Sequence, residues 1–178
     1  MKRNNIFHIF LELLVILGCI IVGMSLLTYI LQDVAIDKVF LGSMVIAIGL
    51  IGICDYATMK FTIRRKSLQN LLASFVLIAT GILFIVLSVE ISIIYTIFGA
   101  VSIVVAFTQL ITSTINLSSQ PLLNGARMII KMLTMVFCIF LLAKSSPFIY
   151  TYITFLSIAL LAEAVVLVVE FIIHRYQN

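Results

Sequence analysis

The sequence predicts an all-α membrane protein, with six transmembrane helices arranged as three hairpin repeats in a single domain over residues 1–178. Three observations point there. Apolar residues make up 63% of the chain and charged residues only 10%, and the mean hydropathy is +1.30. A soluble domain covers itself with roughly a quarter charged residues, which this chain lacks; a hydrocarbon solvent removes that need. The apolar residues fall into six runs near the length that crosses a bilayer, about 20 residues each. The basic residues collect on alternate connections between the runs.

The first run covers 6–31 and follows Met1-Lys2-Arg3. It is too long for a signal peptide and lacks a small-x-small cleavage site, so it reads as a retained helix. The second, 39–59, follows a polar break at Gln32–Lys38. The third, 68–89, follows the basic break Lys60–Ser67, and the fourth is 91–115. Residues 68–115 together are too long for one crossing, and Glu90, between Ser88 and Ser92, marks a tight turn. The fifth run, 127–143, is the shortest and is interrupted by Lys131; the sixth, 148–173, follows Lys144–Pro147.

Orientation follows from the basic residues, which favour the cytoplasmic side. With the N-terminus inside, Lys2, Arg3, Lys60, Arg64, Arg65, Lys66, Arg127, Lys131 and Arg175 are cytoplasmic, and only Lys38 and Lys144 are outside. Both termini are therefore expected in the cytoplasm, in a plasma (inner) membrane. The net charge of +4 reads as this bias and not as affinity for nucleic acid. The Arg64–Lys66 cluster reads first as a topology anchor, with lipid headgroups as a compatible partner.

The runs also repeat. Hairpins begin near Leu11, Leu68 and Ala126, a period of about 57 residues. Gly42 aligns with Gly99 and Leu156; Gly49 aligns with Ala106 and Glu163; Gly23 aligns with Gly81 and Cys138. Small residues recur seven apart, which returns to nearly the same helix face. Gly42, Gly49, Gly81, Gly99 and Ala106 are expected at helix–helix contacts, because small side chains let backbones approach in lipid. Ile46 is expected to face lipid. The lipid bilayer is the obligatory partner, with a membrane-protein partner or a homo-oligomer beside it.

Few residues suggest chemistry. Cys19, Cys54 and Cys138 lie in separate runs without CxxC spacing, so neither a metal site nor a disulfide is expected. His8 and His174 sit at helix ends and read as interfacial. No phosphate loop or HExxH is present, so no enzyme, cofactor or catalytic residue is expected. Ionisable residues inside the spans are costly and therefore informative. Glu163, Lys131, Glu12, Asp55 and Gln109 all fall in the cytoplasmic half and form the candidate polar cluster, with Glu163 and Lys131 as its central pair.

The segments TGILFIVLS at 80–88, FGAVSIVVAF at 98–107 and LAEAVVLVVEF at 161–171, with Ser146-Pro147 in the last outer loop, carry a resemblance over nearly the whole chain. With six short helices in hairpins, the chain resembles the HdeD-type acid-resistance membrane proteins and their short-repeat relatives. It departs from that pattern in lacking a proline in the first two outer loops. The resemblance implies a stress-associated protein that acts by partner interaction or envelope adaptation, and it carries over no catalytic residues. The alternative is the substrate-binding component of a transporter, similar to the six-helix subunits of energy-coupling-factor systems. Against that alternative stand the absence of tryptophan, of an alanine docking motif and of outer loops long enough to cap a ligand.

Overall fold

A computed structural model describes residues 2–32, 37–58, 68–87, 90–115, 117, 121–143 and 145–177. It contains six helices: α1 (Lys2–Leu31), α2 (Lys38–Thr58), α3 (Leu68–Val86), α4 (Ile91–Ile115), α5 (Pro121–Ala143) and α6 (Ser145–Gln177). Each is long and apolar enough to cross a membrane. The chain is a multi-pass membrane protein, and its outward faces are apolar: Ile21, Leu72, Val104, Ile129 and Val165 are all exposed. Such side chains need a lipid solvent, since a soluble protein rarely exposes so much contiguous apolar surface. The basic stretch at Lys60 and Arg64–Lys66, together with Lys144 and the side chains of Lys2, Arg3, His8, His174 and Arg175, lies outside the described residues.

Local chemistry sets several helix boundaries. Asp37 caps α2, its Oδ1 accepting from the Phe40 backbone N–H at 2.6 Å. Lys38 Nζ donates to the Leu87 carbonyl at 3.2 Å, so a residue at the start of α2 closes the C-terminal end of α3. Glu90 immediately precedes α4, and its carbonyl accepts from the N–H groups of Ile93 and Ile94. The expected turn residues Ser88 and Val89 lie outside the described residues. The largest difference from the sequence reading is at α5, which begins at Pro121 and not at Arg127. Proline suits the first helical turn, where its missing N–H would have no intrahelical partner. α6 likewise starts at Ser145 and runs to Gln177, beyond the expected 148–173.

The helices close into a ring in chain order. Each packs on its sequence neighbours, and α1 packs on α6. The most extensive seams are α2–α3, α4–α5 and α1–α6, which join successive hairpins; the seams within hairpins are smaller. Glycines explain the tightest of these. A Cβ on Gly81 would stand 2.6 Å from the Gly42 carbonyl oxygen, and one on Gly42 would stand 2.7 Å from that of Gly81. A Cβ on Gly49 would meet the Ser74 carbonyl oxygen at 2.8 Å. Ile46 is not on the lipid side: its Cγ1 occupies the space beside Gly81, 2.7 Å from where a Cβ would be. The helix rotation that brings Gly42 onto Gly81 carries Ile46 into the same groove. Gly99 is looser, with Leu142 Cδ2 the nearest atom to its missing Cβ at 3.2 Å. On the α1–α6 seam, Ser157 Oγ donates to the Gly23 carbonyl at 2.6 Å.

Six antiparallel spans put both termini at one end of the bundle, and the two ends differ in content. The half away from the termini is filled. Leu26, Leu41, Ile94, Leu141, Ile149, Tyr152 and Ile153 are fully buried there. Phe98 stands edge-on to both Phe84 and Tyr152, with ring centroids 6.4 and 5.4 Å away. The half that holds the termini carries the polar side chains.

Candidate functional site

Charged groups in an apolar bundle persist only where partners replace water. Here the partners come from matched spacings on two neighbouring helices. Asn124, Arg127 and Lys131 stand at i, i+3 and i+7 on α5, which places them on one face. Glu163 and Glu170, seven apart, do the same on α6. Arg127 Nε donates to Glu163 Oε1 at 2.8 Å, and Nη2 donates to Glu170 Oε2 at 2.7 Å. The remaining branch, Nη1, donates to Asn124 Oδ1 at 3.3 Å. All three guanidinium nitrogens are therefore engaged, and Arg127 is only 4% exposed. The planar fork suits this use, because it can address two carboxylates at fixed angles.

Lys131 joins the network from its edge. Its Nζ lies 3.7 Å from Glu163 Oε2, within ion-pairing range but too long for a good hydrogen bond. Its side chain is 19% exposed, against 5% for Arg127. Glu163 thus has Arg127 as its nearer cation and Lys131 as its farther one.

This network forms one wall of a cavity of about 160 Å³ at the bundle centre. Asp55 of α2, Asn70 of α3, Gln109, Thr112 and Ser113 of α4, and Asn124, Arg127, Lys131 and Thr134 of α5 supply polar lining, with Glu163 from α6. Thr112 Oγ1 donates to Asn70 Oδ1 at 3.1 Å and ties α4 to α3 across the rim. Toward the filled half, the lining becomes apolar through Leu77, Phe98, Val105, Leu156 and Leu160. Tyr152, whose hydroxyl accepts from the Cys138 thiol at 3.4 Å, closes that end.

The structure thus brings four of the five residues of the expected cluster to one cavity: Glu163, Lys131, Asp55 and Gln109. Glu12 is not among its lining. It stands with Asp55, Glu170 and Phe171 around a separate space of about 10 Å³. Glu12 lies about two turns nearer the N-terminus of α1 than Cys19, which faces the main cavity. Ala106 also lines the cavity and is 2% exposed, so it borders open space as well as a helix seam.

Sequence reading missed Arg127, Asn124 and Glu170 as site residues. It assigned Arg127 to the topology count and left Asn124 in a connection, because the fifth helix was begun too late. The signal that finds them is the shared seven-residue spacing of Asn124/Lys131 and Glu163/Glu170 around an intervening arginine. Among the described residues, no group of three His, Cys, Asp or Glu side chains is placed to hold a metal ion. The chain matches no protein-family model, no curated protein and no solved structure at a significant level.

Proposed function

We propose that this protein is a membrane-embedded receptor for a small molecule, of the kind that serves as the substrate-binding component of a transporter. The supporting observation is the central cavity, with polar groups from α2 to α6 converging on about 160 Å³. A bundle that acted only through its outer surface would gain by filling that space with apolar side chains. The shortness of the outer loops does not count against this reading, since the cavity lies in the half that holds the termini. The reading is of binding without a reaction. The HdeD-type resemblance is retained as a proposal about kinship; it assigns no ligand. The repeat belongs to the same proposal: the large seams α2–α3, α4–α5 and α1–α6 fall at every second position of the ring, as three copied hairpins would place them.

The cavity is tested by filling it. Ala106→Leu places a larger side chain at a lining position. Mass spectrometry of denatured extracts is expected to find a small molecule released by the wild-type protein and not by this variant. If both extracts are empty and the variant melts higher than wild type, the cavity is a packing void and the receptor reading fails.

Orientation is part of the proposal, with both termini cytoplasmic in a plasma membrane. In a background with Cys19, Cys54 and Cys138 replaced by alanine, a membrane-impermeant thiol reagent applied to intact cells should label Asp37→Cys and spare Ser67→Cys. Labelling of Ser67→Cys from outside reverses the orientation.

A further inference from the structure

The seams of the ring are closed by different means. α2 meets α3 through the close approach of Gly42 and Gly81, and α1 meets α2 at Gly18, whose missing Cβ would stand 2.9 Å from Ile51 Cγ1. α5 is held to α6 by the Arg127 ion pairs, and α1 to α6 by the bond from Ser157 to Gly23. α4 packs on α5 over one of the most extensive seams. The α3–α4 seam has none of these. Neither helix carries a charged residue, so no ion pair can close it. Gly81 faces α2 and Gly99 faces α5, so no glycine tightens it either. It is the least extensive seam between ring neighbours.

Its facing positions recur every seven residues: Asn70, Leu77 and Phe84 on α3, and Thr112, Val105 and Phe98 on α4. Asn70 bonds Thr112 at one end, and Phe84 meets Phe98 edge-on at the other. All but Phe84 line the cavity, so this seam is itself the cavity wall, and the ring places lipid on its other side. At the Phe84–Phe98 end only residues 87–90 join the two helices, which keeps them together there. Parting therefore pivots on the aromatic contact and opens at Asn70–Thr112. One neutral hydrogen bond is a weak closure. Thr112 Oγ1 also stands 3.1 Å from the Thr108 carbonyl oxygen, so the hydroxyl keeps an acceptor when the helices part.

Building on the receptor reading, we propose that the α3–α4 seam is a lateral portal, latched by Asn70 and Thr112, through which the cavity takes up an amphipathic molecule dissolved in the bilayer. The cavity suits such a molecule, being polar toward the termini and apolar toward Leu77 and Phe98. The test uses a small aryl diazirine that partitions into lipid, with the protein in nanodiscs and its three cysteines replaced by alanine. After photolysis, peptide mass spectrometry compares the cavity-lining Val105 and Ala106 with the lipid-exposed Val104 and Phe107. Asn70→Cys with Thr112→Cys, bridged by a short bis-methanethiosulfonate, should lose labelling at Val105 and Ala106, keep it at Val104 and Phe107, and regain it on reduction. Thr114→Cys with Met128→Cys bridges α4 to α5 at the same end, where these side chains stand 4.0 Å apart, and should change nothing. Thr112→Val, which removes the latch, should speed cavity labelling by about fivefold, the yield of one hydrogen bond. If the α3–α4 bridge leaves cavity labelling unchanged, or the α4–α5 bridge abolishes it equally, the portal is wrong while the receptor reading stands. If the diazirine never reaches Val105 or Ala106, the portal is also wrong, and the receptor reading falls with it only where the wild-type protein releases no small molecule on denaturation.

Discussion

Replacing Arg127 by methionine is expected to destabilise the protein more than any other single change in its polar half. The guanidinium is shared by Glu163 and Glu170, both on α6, and its removal leaves two carboxylates close together with the more distant Lys131 between them and neutrality. Breaking a buried ion pair from one side costs about 3–5 kcal/mol, because the remaining charge keeps its desolvation penalty and loses its compensation. Lys131→Met should cost less, since that ammonium is farther from its carboxylate and better hydrated. The triple variant Arg127→Met, Glu163→Gln, Glu170→Gln removes the charges together and should recover much of the loss. The measurement is the thermal midpoint of each variant in one detergent, read as a coupling energy. A triple variant whose loss equals the sum of the three single losses would mean that the groups act independently. A larger loss for Lys131→Met than for Arg127→Met would mean that the network is centred on the wrong cation.

The second large effect is expected at the α2–α3 seam. Gly81→Ala adds a single methyl group, yet its Cβ would stand 2.6 Å from the Gly42 carbonyl oxygen and 3.0 Å from the Ile46 backbone nitrogen. Neither backbone atom can rotate away, so the helices must separate along the most extensive seam of the bundle. Overpacking of this kind costs about 1–3 kcal/mol. Gly49→Leu should cost at least as much, because the Ser74 carbonyl oxygen and Ile78 already fill its space. Gly125 supplies the contrast. It lies within α5 with nothing within 4 Å of an added Cβ, so Gly125→Ala should stabilise by about 0.5–1 kcal/mol through helix propensity alone. Thermal midpoints that move in the same direction for Gly81→Ala and Gly125→Ala would remove the close approach as an explanation.

The two sets of residues were unequally legible. Gly42, Gly49 and Gly81 stand out because small residues at seven-residue spacing have one common use in lipid. Which helix each would meet was not readable: the pairing of Gly42 with Gly81 depends on the helix rotations, and the same rotations move Ile46 from the expected lipid face into the seam. Glu163 and Lys131 were legible as intramembrane charges because hydrocarbon makes every such residue conspicuous. Arg127 was not. An arginine near the end of an apolar run serves topology as often as packing, and only the start of α5 at Pro121 puts it well inside the helix.

The sequence by itself determined that this is a six-span, all-helical membrane protein, and approximately where each span lies. The reason is the solvent: hydrocarbon demands long apolar segments with internally satisfied backbones, and that demand is written locally in composition. Tertiary structure alone decided the order of the ring, the sharing of Arg127 between two glutamates, the separation of Glu12 from the other polar residues and the existence of a central cavity. These depend on how each helix is rotated about its axis and on which side chains meet across a seam. Lipid and protein interior are nearly equally apolar, so hydrophobic periodicity gives little information about rotation; close packing and the pairing of a few charges settle it.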